Sequence, residues 1–369
     1  MKFSCEKYLL QQAAAIASRS TASKSPIPAL EGLLIQAGQE VKITGYDLKK
    51  GIYTSFPADI AEPGSIVLNA RLFGEIVRSL PDGIVTVGTD GMKADIHCEA
   101  SDFTVMGTDS AEYPELPAVD RQNTVSISRK TLGTMIRQTS FAVSDNESRP
   151  VYTGALFDIK EGALSIVAVD GYRLALRKES IGEENAAFSF IVPGNALNDV
   201  DKLCADEEED AQINVGTKHI SFVMGDTVLV SRRLEGEFLN YAKSIPTQFG
   251  TRAKLNRDEF MRAVGRVSLV IDEKTKNPVK LTVKEDLIGL SCRTGIGNAD
   301  DQCAAEVDGS ADVTIGFNNR YLLDALRAAP TEEIIFGLNS SASPAVMLPS
   351  DGSDGFAYMI LPVRLRANE

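Results

Sequence analysis

The chain is poor in the side chains from which most catalytic centres are assembled. Only two histidines, His97 and His219, occur in its 369 residues, so a His-rich metal centre is excluded and any Ser-His or Cys-His pair must use one of them. The five cysteines (Cys5, Cys98, Cys204, Cys292 and Cys303) are scattered, without a C-x-x-C pair. That argues against a disulfide framework and a zinc site, and for reduced, buried thiols. No apolar run approaches the ~20 residues that a bilayer requires, and Met1-Lys2-Phe3-Ser4-Cys5-Glu6 has no apolar h-region, so a cytoplasmic location is expected. P-loop, nucleophile-elbow and H-E-x-x-H patterns are absent, leaving no residue nominated as catalytic and no cofactor or metal expected. Positive charge is in deficit as well: 38 basic against 51 acidic side chains give a net charge of -13, which taken alone speaks against nucleic-acid binding.

What the chain does contain is repetition. Its length fits two or three domains, and its 43% hydrophobic and 24% charged residues are those of a folded protein. One apolar stripe, Tyr8, Leu9, Gln12, Ala15 and Ile16, follows Lys2-Phe3-Ser4. Another, Leu132, Met135, Ile136 and Thr139, follows Val125-Ser126-Ile127, 124 positions later. A third, Phe260, Val264 and Val267, lies 128 positions beyond that. A second segment type has the same period: a strand and then a helix at Ile66–Leu80, Phe190–Leu203 and Thr314–Leu326, stepping 124 from Ile76 to Val200 and 125 from Val200 to Ala325. Two helix types recurring at a third of the length imply three copies of one unit. Between them lie short β-branched runs ending in turns, such as Val41-Lys42-Ile43-Thr44 before Gly45 and Leu164–Val169 before Asp170-Gly171. The expected class is α+β, an antiparallel sheet with two helices per repeat, over 1–121, 122–249 and 250–369. Pro114-Glu115-Leu116-Pro117 and Ile245-Pro246-Thr247 lead from one repeat to the next.

Charge follows the same division. The six helices, read as 6–19, 70–80, 128–140, 194–204, 257–268 and 319–328, hold 13 basic and 7 acidic residues, leaving -19 for the rest of a chain whose total is -13. Solvated helix faces explain such a bias in most proteins. Three units side by side, helices on one face of a continuous sheet, would instead gather the cations on one concave surface suited to phosphates rather than bases.

Three local motifs carry less weight. Gly295-Ile296-Gly297-Asn298-Ala299-Asp300 is half a dinucleotide loop with no long helix after it, and reads as a turn. Asp351-Gly352-Ser353-Asp354-Gly355 lacks the further ligands of a calcium loop and reads as a hairpin turn. Asp206-Glu207-Glu208-Glu209-Asp210 reads as a solvated loop.

Ala168-Val169-Asp170-Gly171-Tyr172-Arg173-Leu174-Ala175 resembles the A-T-D-G-H/Y-R-L-A signature of the bacterial DNA polymerase III beta subunit family, the replicative sliding clamps. The similarity extends to Met1-Lys2-Phe3, Lys24–Leu30, Gly45-Tyr46-Asp47, Ile315–Asn318 and Leu361–Leu365. The resemblance implies three clamp domains, with helices lining a central hole and antiparallel sheets outside. It further implies a head-to-tail homodimeric ring around double-stranded DNA, without sequence specificity, catalysis or membrane contact, associated with the nucleoid during replication. Implied partners are a clamp loader, the replicative polymerase catalytic subunit, translesion polymerases and mismatch-repair proteins.

A partner-peptide pocket is implied at Tyr152, Val169, Gly171, Tyr172, Arg173, Leu174, Leu239, Lys243, Asn318, Tyr321, Pro344, Leu361, Pro362, Val363, Arg364 and Leu365. Val169 stands where the family commonly has Thr, Lys243 where it has Arg, and Lys276 where an aromatic occurs, so motif preference is expected to differ. DNA contact is expected of Lys24 and Arg149 by resemblance, and of the helix residues Arg71, Arg78, Arg137, Arg262 and Arg266. Leu72, Ile76 and Phe103 are expected to meet Val270 and Ile271 of a second copy, while Ala100 and Asp102 replace basic family residues beside Phe103. Two rival readings remain open: a hydrolase built from scattered carboxylates, and an acidic scaffold that binds only proteins.

Overall fold

The structure is a computed structural model and describes residues 1–182, 186–205, 207–272, 277–310 and 313–365. Lys276, Asp206 of the acidic run, and the last four residues, 366–369, lie outside the described residues. The helices are α1 (Lys7–Ala17), α2 (Ala70–Ser79), α3 (Arg129–Arg137), α4 (Gly194–Cys204), α5 (Tyr241–Ser244), α6 (Arg257–Val267) and α7 (Asn319–Ala328). Six of these seven helices among the described residues coincide with those expected from apolar spacing; α5, a single turn, was not expected.

Two compact units emerge, Met1–Gly133 with Asp199–Arg233, and Thr134–Asn198 with Leu234–Glu369. The first holds a five-stranded sheet and an eight-stranded sheet. In the larger one, strand Thr227–Arg232 lies antiparallel to Lys50–Phe56, so residues from the first and second thirds of the sequence share one sheet. The second unit repeats the device in its nine-stranded sheet, where Phe356–Ile360 lies antiparallel to Arg173–Ser180. A four-stranded sheet completes it.

Strand leads directly into every helix but α5, and asparagine makes several of these corners. Asn69, Asn256 and Asn318 each accept a backbone N–H of the first turn of α2, α6 and α7, satisfying a donor that the helix leaves free. Each helix then buries one stripe: Ala70, Phe73, Ile76 and Val77 in α2, and Phe260, Ala263, Val264 and Val267 in α6. In α1 the stripe differs from expectation. Leu10, Ala13, Ala14 and Ala17 are buried, whereas Tyr8, Gln12 and Ala15 are exposed. Both faces have helical spacing, and the alanine face wins because small side chains let the helix lie close against the sheet.

All five cysteines are buried, and burial pushes the Cys5 thiol up to about 12. The Asp351–Gly355 segment is a turn between Ala345–Pro349 and Phe356–Ile360, with Gly352 at φ 79° and Asp351 accepting the Ser353 N–H. Gly295 to Gly297 likewise forms the turn before strand Asn298–Ala304.

Candidate functional site

The signature octapeptide forms the end of strand Ala163–Val169, a tight turn, and the start of Arg173–Ser180. Asp170 closes the turn by accepting the backbone N–H groups of Tyr172 (2.9 Å) and Arg173 (3.0 Å). Gly171 sits at φ 92°, in the left-handed region that glycine adopts without strain. Arg173 is fixed from both sides, donating through Nε to Asp170 (2.8 Å) and through Nη1 to Asp324 of α7 (2.7 Å). Its guanidinium lies 4.5 Å from the Tyr321 ring centre and 5.3 Å from that of Phe141. Arg173, expected to face a peptide, therefore holds the turn to α7, and exposed Tyr172 stacks on Tyr321 beside it. Burial, and then the Asp170 charge, push the Tyr321 hydroxyl up.

The end of the chain is drawn to this turn. Leu361 donates its N–H to the Tyr172 carbonyl and Val363 to the Gly316 carbonyl, both at 2.8 Å. Leu365 packs over Gly316, next to Asn318. Behind the turn, Val169, Leu174 and Val346 are buried in one apolar cluster, against which Tyr152, Phe238, Leu239, Tyr241 and Met359 are half-buried. Tyr152 and Phe238 meet edge to face at 5.4 Å, a favourable geometry for aromatic pairs. Pro344 and Pro362 are half-buried, while Lys243 and Arg364 are exposed. A surface of apolar walls with charged margins results, built from the middle and the end of the sequence. Val346, Phe238 and Met359 were missed by sequence reasoning; their only signal was apolar character within strand or linker.

The expected DNA contacts divide between the units. Lys24, Arg71 and Arg78 lie in the first, and Arg137, Arg149, Arg262 and Arg266 in the second; all are exposed. Arg71 pairs with Glu75 one turn along α2 at 3.0 Å, and Arg266 pairs with Asp301, holding that carboxyl below the usual range. Lys24, Arg78, Arg149 and Arg262 have no side-chain partner among the described residues, so their charges face solvent.

At the expected subunit contact the picture is mixed. Leu72 and Phe103 are exposed, but Ile76 belongs to the core of the first unit, because the inward stripe of α2 passes through it. Val270 and Ile271 are half-buried, and the neighbouring Leu269, not anticipated, is the most exposed large apolar residue at 81%. Strands Ser101–Met106 and Asn298–Ala304 are both sheet edges. Asp102 hydrogen-bonds His97 at 2.6 Å, and Asp300 pairs with Arg293 at 2.7 Å.

Models of the DNA polymerase III beta subunit match in three consecutive parts: the N-terminal domain over residues 1–117, the central domain over 126–240 and the C-terminal domain over 242–364. The chain belongs to the DNA polymerase III beta subunit family. A beta sliding clamp from Staphylococcus aureus is 32% identical over 357 residues, covering 94% of each chain. Among solved structures, the DNA polymerase sliding clamp from Bacillus subtilis aligns with a TM-score of 0.95 at 31% identity, over 99% of this chain and all of that one. The DNA polymerase III subunit beta from Pseudomonas aeruginosa aligns with a TM-score of 0.94 at 26% identity, again over 99% of this chain. Three clamp domains of antiparallel sheet with paired helices are therefore the architecture of this family member, as the repeats indicated.

Proposed function

We propose that the chain is a non-enzymatic processivity clamp, in which two copies close head to tail around duplex DNA and tether polymerases through the pocket at Gly171–Leu174 and Leu361–Leu365. The observation that carries the proposal is the state of the two terminal edges. Among the described residues, strands Ser101–Met106 and Asn298–Ala304 are unpaired on their outer sides, and they correspond in the repeats to strands that pair with each other inside the chain. An exposed edge invites pairing with another chain, and exposed Leu269, in the 268–270 turn packed against Asn298–Ala304, and exposed Leu72, in the same unit as Ser101–Met106, add apolar surface. A rotation that brings the two ends of one copy onto the opposite ends of another closes the assembly with two identical joints.

The three domains are proposed to span 1–121, 122–249 and 250–369, supported by the separate family matches to 1–117, 126–240 and 242–364. The exposed cations Lys24, Arg78, Arg149 and Arg262, together with Arg71, Arg137 and Arg266, are proposed to face the DNA. Two of them, Arg71 and Arg266, already carry an acidic partner, and the net charge is -13. Such a lining attracts phosphate weakly, which suits sliding, since tight neutralisation of many phosphates would arrest the ring. Bacterial cytoplasm is the proposed location, with transient association with the nucleoid. A clamp loader, the replicative polymerase and repair polymerases or mismatch-repair proteins are the proposed partners.

The test is the mass in solution. Light scattering at micromolar concentration is expected to give about 80 kDa, twice the 39.7 kDa of the chain. A monomer under those conditions would count against the ring.

A further inference from the structure

The two sheet joints inside the chain share one construction. Ser231 stands opposite Lys50 in the first unit, and Ile360 opposite Arg173 in the second. In each, the cation that begins the strand crosses to the aspartate at the sixth position of a helix: Lys50 to Asp199 of α4, and Arg173 to Asp324 of α7. Both pairs are shielded, with side-chain exposures of 10% and 9% in the first and 12% and 31% in the second. The preceding turns match as well, since Asp47 accepts the N–H groups of Lys49 and Lys50 as Asp170 accepts those of Tyr172 and Arg173.

Hairpin register carries this correspondence to the open edges. Tyr46 opposite Gly51 and Val169 opposite Leu174 are matched by Arg293 opposite Asn298, which puts Gly297 in the position of Lys50 and Arg173. Met224 opposite Thr227 is matched by Cys98 opposite Ser101, which puts Val105 in the position of Ser231. The sixth residue of α2 is Glu75. Two copies joined as the internal sheets are joined would set Val105 opposite Gly297, Phe103 opposite Ala299 and Asp102 opposite Asp300. The faces agree with this register. Val105 packs on the core of its unit, and Asp301, two residues from Ala299, turns to Arg266 of α6, so both odd-numbered sets lie on the helix side.

We infer that the joint between copies is a version of the internal joint from which the ion-pair latch has been removed. Gly297 supplies no cation, and Glu75 is left on Arg71 of its own helix. By position in the repeat, exposed Leu72, third in α2 as Tyr321 is third in α7, and exposed Leu269, in the turn after α6 as Phe141 is in the turn after α3, correspond to the rings around Arg173. On the outer face the register also sets two aspartates opposite each other, which weakens a strand pair. The inference rests on the dimer reading above and identifies which residues make that contact the weakest of the joints. A ring that must open to admit DNA opens where no buried pair has to be broken.

Gly297 is open to substitution: its φ is not in the left-handed region, and an added Cβ would meet only Val270 Cγ1, at 3.8 Å. The experiment measures the dimer dissociation constant by analytical ultracentrifugation for the unaltered chain, Gly297→Ala, Gly297→Lys, and Gly297→Lys combined with Glu75→Gln. Gly297→Lys is expected to dimerise roughly tenfold more tightly than Gly297→Ala, with the gain lost when Glu75→Gln is added, as for directly coupled residues. Equal constants for the Lys and Ala variants, or a gain that survives Glu75→Gln, would overturn the inference. Disulfide formation between a Phe103→Cys copy and an Ala299→Cys copy reads the register separately, with all five native cysteines buried. Cross-linking without tightening by Gly297→Lys would defeat the latch alone, whereas absence of any dimer would defeat the reading beneath it.

Discussion

Lys50 and Asp199 are both buried, and their pairing shows what a single side chain contributes here. Lys50 also donates to the Arg19 carbonyl at 2.8 Å, so its ammonium is satisfied only while both acceptors are in place. Asp199→Ala would leave a buried cation short of its counter-charge, at a cost of about 3–5 kcal/mol. Urea unfolding should show the midpoint fall accordingly, and an unchanged midpoint would mean that the pair is not buried in solution. A smaller effect of opposite sign is expected in the turn just before Lys50. Leu48 holds φ 70° where the matching turn uses Gly171, and it is exposed enough to contribute little packing. Leu48→Gly should therefore stabilise the chain by about 1 kcal/mol through relief of that conformation, read as a rise in thermal midpoint; a lower midpoint would contradict the strain.

Elements were largely legible in the sequence, and the reasons are specific. Apolar spacing located α2, α4, α6 and α7 to within a residue or two, because each carries one large-residue stripe followed by a break. It selected the wrong face of α1, where alanines at helical spacing are as buried as any leucine. The strand pairings between thirds of the chain, Thr227–Arg232 with Lys50–Phe56 and Phe356–Ile360 with Arg173–Ser180, left no local mark. Partner choice over such separations is set by the whole sheet rather than by the strands' own residues. Of the candidate site, the octapeptide and the terminal Leu361–Leu365 were visible through resemblance. Asp324, Val346 and Leu269 were not, since a helix acid, a strand valine and a surface leucine look ordinary until the fold brings them to a junction. Peptide binding tests the pocket that these elements form. Leu174→Lys places a charge in the apolar cluster and should weaken a Gln-Leu-x-Leu-Phe type peptide by at least about tenfold in calorimetry. The dimer mass should persist, because Leu174 is remote in sequence and sheet from both open edges. Unaltered affinity would mean that the pocket lies elsewhere.

For the molecule as a whole, the segregation of charge found in the sequence takes on a physical meaning. Most of the helix cations are exposed while the helices' inner stripes fill the cores, acidic residues dominate the rest of the chain, and the net charge of -13 offers no general affinity for DNA. On the proposed reading, retention on DNA comes from closure of the assembly rather than from strength of contact. This is measured most directly by loading the protein with a cognate clamp loader and ATP onto nicked circular DNA, isolating the complex at moderate salt, and linearising half of it. A topologically linked clamp stays on the circle and runs off the linear form, and its unaided binding to either falls steeply as salt rises. Equal retention on circular and linear DNA would contradict encirclement.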